Sequence, residues 1–166
     1  EWYQPYRLDR IKQVLEQDRR LTLEDMLALQ GDTVSMSARR VCALLAELPS
    51  DASSDLRRAL EMLRGWNASM DASSAAAALY EVWFHRHLGR AVMANWVEDP
   101  LLREAASDRD SLHDWLEGTS VELLIRRLEH PDPCPRAHPR PARHGAMLTS
   151  LSHAVQQPQS HPRADL

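Results

Sequence analysis

Apolar positions along the chain recur at helical spacing, and no stretch alternates as a half-buried strand would. Leu8, Ile11, Val14 and Leu15 share one face of a predicted helix that starts at Arg7 and frays near Asp18. Thr22 suits the N-cap of the next helix: its hydroxyl can accept from the Asp25 amide while Asp25 reaches back, as in a capping box. Glu24 and Asp25 also suit the positive end of the helix dipole. Leu23, Met26, Leu27, Val34, Val41, Leu44, Leu45 and Leu48 carry the stripe to about Glu47, with Gly31 as a point of interruption and Pro49 as the stop. Ser53 or Ser54 caps a third helix bearing Leu56, Ala59, Leu60 and Leu63. Gly65 is placed to end that helix in a left-handed conformation. After a loop over 66–71, Ser73 caps the longest helix, Ser74 to about Trp96, whose apolar positions are Leu79, Val82, Trp83, Leu88, Val92 and Trp96. Asp99-Pro100 breaks it. Shorter helices are predicted over 101–106, over 111–117, and from a Thr119 or Ser120 cap through Leu128.

The fold class is therefore all-α, with a helical region over residues 1–129. Composition then shifts. Prolines 131, 133, 135, 139 and 141 preclude regular helix or a central strand, so 130–143 reads as a proline-rich linker. Residues 144–166 read as a short helix over Gly145–Gln157, with Met147, Leu148, Leu151 and Val155 as its apolar face, followed by a disordered tail.

At 166 residues the chain is long enough for one domain that buries about two-thirds of its surface. No apolar run approaches the ~20 residues needed to cross a bilayer. A net charge of −4 gives no electrostatic reason to expect nucleic acid. Cys42 and Cys134 make no disulfide framework and no metal-ligand spacing. The chain begins with Glu1 rather than methionine, so the expectation is a stretch from inside a longer gene product, with any targeting signal encoded elsewhere.

Candidate chemistry is sparse. His85 and His87 lie two apart, which turns them about 200° from each other on a helix, and no third ligand is offered, so no metal is expected. The later histidines 130, 138, 144, 153 and 161 are spaced irregularly among prolines and read as solvated. Asn67-Ala68-Ser69 matches a glycosylation sequon but reads as a turn between helices. The pairs Arg39-Arg40, Arg57-Arg58 and Arg126-Arg127 read as solvated faces paired with Glu and Asp. Trp66, Trp83, Trp96 and Trp115 at helical positions read as core. No nucleophile elbow, P-loop, dinucleotide loop or zinc-protease motif occurs.

Two linked segments carry more. The first holds Pro5-Tyr6-Arg7-Leu8-Asp9-Arg10-Ile11, Leu21-Thr22-Leu23-Glu24-Asp25-Met26 and Leu29-Gln30-Gly31-Asp32-Thr33-Val34-Ser35. The second holds Trp66-Asn67 and Ser73-Ser74-Ala75-Ala76-Ala77-Ala78-Leu79-Tyr80-Glu81-Val82-Trp83. In order and spacing they resemble an interior stretch of the large chain of the penicillin amidase family. The matching stretch covers roughly 5–96, with an echo at 123–128 and 143–151.

The resemblance implies an N-terminal nucleophile hydrolase, whose α-β-β-α sandwich carries long helical insertions like this one. It implies cleavage of linear amides, such as β-lactam side chains or acyl-homoserine lactones, by a serine whose own α-amino group is the base. It also implies no cofactor, a periplasmic or secreted location, and as partners the remainder of the same precursor and a small amide substrate, with neither nucleic acid nor membrane. This sequence has no Gly-Ser-Asn-type processing junction and no small-chain Ala-Gln-Asp-Arg-like helix, so the nucleophile and the oxyanion asparagine are expected outside it. The resemblance places Arg7 beside the nucleophile as a site-organising arginine, with Arg10 in that place if the register shifts by one turn. Trp2 and Tyr3 would then line the acyl pocket. The residues alone leave open that Arg7 is a surface arginine at a helix start.

Overall fold

The computed structural model describes residues 5–17, 20–49, 53–96, 121–130 and 139–156; the side chains of 93–96 and 139–142 are not described. Helix dominates these residues, and no strand is present among them. In chain order they form α1 (Tyr6–Leu15), α2 (Leu23–Gln30), α3 (Met36–Leu44) running into a 3₁₀ turn (Leu45–Glu47), α4 (Ser54–Arg64) and α5 (Ala75–Trp83). A π turn (Phe84–Leu88) joins α5 to α6 (Gly89–Trp96), and α7 (Val121–Glu129) and α8 (Pro139–Gln156) follow. The expected helices over 101–106 and 111–117, Trp115 and Cys134 lie outside the described residues.

Local chemistry explains most boundaries. Thr22 Oγ1 accepts from the Asp25 amide at 3.2 Å, and Asp25 Oδ2 accepts from the Thr22 amide at 2.8 Å, so the reciprocal cap forms as expected. Ser35 caps α3 by accepting from the Ala38 amide, which is why the stripe through Gly31 divides into two helices. Ser74, not Ser73, caps α5 through the Ala77 amide. Gly65 departs from expectation: it ends α4 at φ −84°, so no left-handed turn is needed there.

Two further elements differ from the pattern. The 75–96 helix is not α throughout. One row of its buried residues, Ala76, Tyr80, Phe84, Leu88 and Val92, recurs every four positions, with Ala77 and Trp83 buried beside it. On an α-helix each such step drifts by about 40°, and the wider π turn at 84–88 removes part of that drift. At the other end, α8 starts at Pro139 rather than Gly145, so the boundary expected at 143/144 falls within a helix. Pro139 and Pro141 stand in its first turn, where amides have no partner inside the helix and proline removes nothing.

The core forms where α3, α4, α5, the π turn, α7 and α8 meet. Val41, Leu45, Leu60, Leu63, Trp83, Phe84, Leu88, Ile125, Leu128, Met147 and Leu151 are among its fully buried members. The long α8 packs across α4, α5, the π turn and α6, while α7 packs on α3. Trp83 is the largest fully buried side chain, and its indole N–H donates to Ser150 Oγ at 2.9 Å. Tyr80 stacks on Phe84 with centroids 5.3 Å apart and tilts against Trp66 at 5.5 Å. Of the tryptophans expected in the core, Trp83 is buried and Trp66 packs on its margin.

The helices α1 and α2 are different. Neither contains a buried residue, and Leu8, Leu15, Leu23 and Leu27 stand exposed on them.

Candidate functional site

The quoted sequence segments converge on one junction. Arg7 on α1 reaches the end of α2, where its guanidinium donates to the carbonyls of Leu29 at 2.8 Å, Asp32 at 3.1 Å and Gln30 at 3.5 Å. Carbonyls in the last helical turn have no amide partner of their own, and a cation there matches the negative end of the helix dipole. One turn on, Arg10 grips the Asp32 carboxylate: Nη2 lies 2.7 Å from Oδ2, and Nε lies 3.1 and 3.2 Å from the two oxygens. Asp32 Oδ1 also accepts from the Val34 amide at 2.9 Å, which fixes the turn between α2 and α3. The Arg10 guanidinium holds the Asp32 carboxyl below its ordinary range. Arg7 and Arg10 are thus both engaged with the α2–α3 corner. Trp2 and Tyr3 lie outside the described residues.

That corner is clamped to the 66–71 loop. Val34 and Ser69 form an isolated antiparallel bridge, with Ser35 N–H donating to Ala68 O at 2.9 Å and Met70 N–H to Thr33 O at 3.0 Å. The Thr33 and Ser69 hydroxyl oxygens lie 2.8 Å apart and both reach the Asp71 carboxylate, at 3.2 and 2.9 Å, so their two protons are shared among these three contacts. Asn67 Oδ1 accepts from the Ser69 amide at 2.9 Å, so the sequon residue serves as a turn. The Trp66 indole N–H closes the loop on Ser69 O at 3.1 Å.

Ala68 sits inside this loop at φ 64° and is almost wholly buried. A left-handed alanine costs roughly 1–2 kcal/mol, here offset by the clamp bonds around it. Ala68→Val is expected to lower stability by about 2 kcal/mol or more, because branching at Cβ worsens the strain and the site has no space. Ala68→Gly is expected to stay within about 1 kcal/mol of the parent, as relief of strain offsets the lost methyl. Thermal melts of the two variants check this; equal melts would remove the strain argument.

A second polar cluster ties α1, α3 and α7. Arg40 holds Glu129 with two bonds, of 2.8 and 2.6 Å, and Glu122 with one of 2.7 Å. Glu122 also accepts from Tyr6 Oη at 2.7 Å and from Arg126 Nε at 2.6 Å. Burial alone would raise the Glu122 pKa, but the bonds from Arg40, Tyr6 and Arg126 together bring it to about 2. Burial, and then the Glu122 carboxylate, push the Tyr6 phenol up. Arg40 thus has the carboxylate partners expected of the arginine pairs, but it is half-buried between helices instead of lying on a solvated face. The sequence signal was available on one side: Glu122 and Glu129 lie seven apart, on one face of a helix.

Several of the described hydroxyls are in structural use. Ser35 and Ser74 are caps, Ser69 ties a loop, and Ser150 receives Trp83 and donates to Met147 O. Burial pushes the Cys42 thiol up to about 12, so it stays protonated at neutral pH. His85 makes an exposed pair with Glu81 at 3.2 Å. Among the described residues no group of three or more His, Cys, Asp or Glu is arranged for a metal ion, and no helix is long and apolar enough to cross a membrane.

The family model described as penicillin amidase matches residues 1–165. The chain belongs to the penicillin amidase family. No curated protein matches it. The family relation makes the chain kin to amidohydrolases, and the all-helical architecture agrees with a helical segment of a family member. The junction of α1, the α2–α3 corner and the 66–71 loop is thus where the first of the segments that carry the penicillin amidase resemblance meets Trp66 and Asn67 of the second, whose remainder forms α5 and its cap.

Proposed function

We propose that this chain is the helical part of an amidohydrolase that cleaves linear amides of the penicillin side-chain or acyl-homoserine lactone type. Its role is scaffolding. The α1–α2–α3 junction would hold Arg7, or Arg10 if the register shifts by one turn, at the edge of a site whose attacking serine and oxyanion asparagine come from the remainder of the precursor. The observation that carries this reading is the penicillin amidase match over 1–165. The exposure of Leu8, Leu15, Leu23 and Leu27 supports it, because helices with an apolar side and no buried residue suit a surface that packs against something else.

The isolated chain should release no p-nitroaniline from an acyl p-nitroanilide above the buffer rate. Robust turnover would overturn the reading. A stand-alone helical interaction module is the second reading, favoured by the continuous core from α3 to α8. The two separate in light scattering with a thermal melt. The scaffold reading expects concentration-dependent self-association that charged substitutions at Leu23 and Leu27 relieve. A monodisperse chain at all concentrations favours the module.

A further inference from the structure

We propose that a cleft between α3 and the α4–loop corner binds a small organic anion with a flat apolar body, an aromatic carboxylate being the simplest case. The lining of this cleft carries the inference without the amide-cleaving reading above. Arg39, Cys42, Ala43, Ala46, Arg64, Trp66 and Asn67 line a volume of about 420 Å³. That size falls within the range of small-molecule sites. Two guanidiniums stand in the lining and no carboxylate does, on a chain whose net charge is −4. The electrostatics of the cleft therefore oppose those of the molecule as a whole.

The two cations are held in place before any ligand arrives. Arg64 Nε and Nη2 donate to Leu45 O at 3.0 and 2.7 Å, and Nη2 donates to Leu48 O at 2.8 Å. These bonds fix its plane and leave Nη1 without a hydrogen bond among the described residues. Arg39 Nη1 is tethered to Gln13 Oε1 at 3.1 Å, which leaves Nε and Nη2 for an acceptor. A planar fork with two adjacent N–H groups is the geometry that matches a carboxylate. The apolar half of the ligand is served by Ala43, Ala46 and the half-buried Trp66, whose ring is fixed by its bond to Ser69 O and by Tyr80. An indole held this way offers stacking area at little entropic cost. The Cys42 thiol is uncharged and adds a neutral floor.

The test titrates the full chain with 2-naphthoate and, as its neutral match, 2-naphthamide, following the Trp66 indole N–H by NMR. Saturable one-to-one binding of the carboxylate is expected, with the amide at least about tenfold weaker and 0.5 M salt weakening the carboxylate alone. Arg39→Gln should weaken the carboxylate about tenfold while leaving the melt and amide binding unchanged. Arg64→Gln removes the bonds that hold the 3₁₀ turn, so the decision rests on Arg39→Gln. Equal affinity for acid and amide, no saturation, or unchanged affinity in Arg39→Gln would overturn the proposal.

Discussion

Trp83→Ala is expected to lower stability by about 3–5 kcal/mol, the range for emptying a fully buried aromatic site. Trp83 is completely buried where α5 meets α8, and its neighbours include Tyr80 at a 6.4 Å edge contact. Removing the indole opens a cavity where α5 meets α8. The indole also ties Ser150, which keeps only its bond to Met147 O when the ring is gone. For a chain of this length the loss corresponds to a drop in melting temperature of about 6–20 °C. Trp83→Phe separates the terms: it keeps most of the apolar volume and forfeits the N–H bond, so about 1–2 kcal/mol is expected. A melt of Trp83→Ala within about 2 °C of the parent would mean that the α5–α8 contact is not the centre of the core.

What could be read in the sequence follows the range of the interaction. The Thr22 cap and the Asn67 turn act over two or three residues, so their chemistry is written side by side in the chain. The apolar stripes on α3, α4 and α5 gave the core face for the same reason. The π turn at Phe84–Leu88 was not legible, because a spacing of four between buried residues is compatible with α until the opposing face of α8 is known. Pro139 and Pro141 misled in the other direction. Proline breaks a helix interior but is harmless in its first turn, and only the location of the start distinguishes the two.

The candidate site divides in the same way. Arg7 and Arg10 stood out through a resemblance, but their partners Leu29, Gln30 and Asp32 lie more than twenty residues away and no periodicity links them. The clamp between Thr33–Ser35 and Ala68–Met70 is likewise a tertiary fact. The resemblance had put both segments in one motif set, and the fold brings them together in space. That the arginine pairs meet carboxylates was legible, but which carboxylates Arg40 meets, and its half-burial, depend on α7 being laid across α3.

That cluster sets the second large effect. Arg40→Met is expected to cost about 2–4 kcal/mol at neutral pH. The substitution keeps volume but strips Glu129 of both its arginine bonds and leaves Glu122, also mostly out of solvent, with only Arg126 and Tyr6 as partners. The penalty should depend on pH in a defined direction. In the parent, Glu122 titrates near 2 when folded and near 4.3 when unfolded, so its contribution is complete above about pH 4.3 and is lost as the pH falls toward 2. Glu129 is lowered in the same sense by its bonds to Arg40. Methionine removes those bonds, so the difference between parent and variant should be largest at pH 7 and shrink below about pH 4, where the carboxyls of the variant take up protons. Adding Glu122→Gln and Glu129→Gln to Arg40→Met should recover a large part of the loss, since neutral amides need no countercharge. Urea melts of parent, single and triple variants at pH 7 and pH 3 measure all of this. A penalty that is the same at both pH values would show that Arg40 contributes through packing of its stem and not through charge.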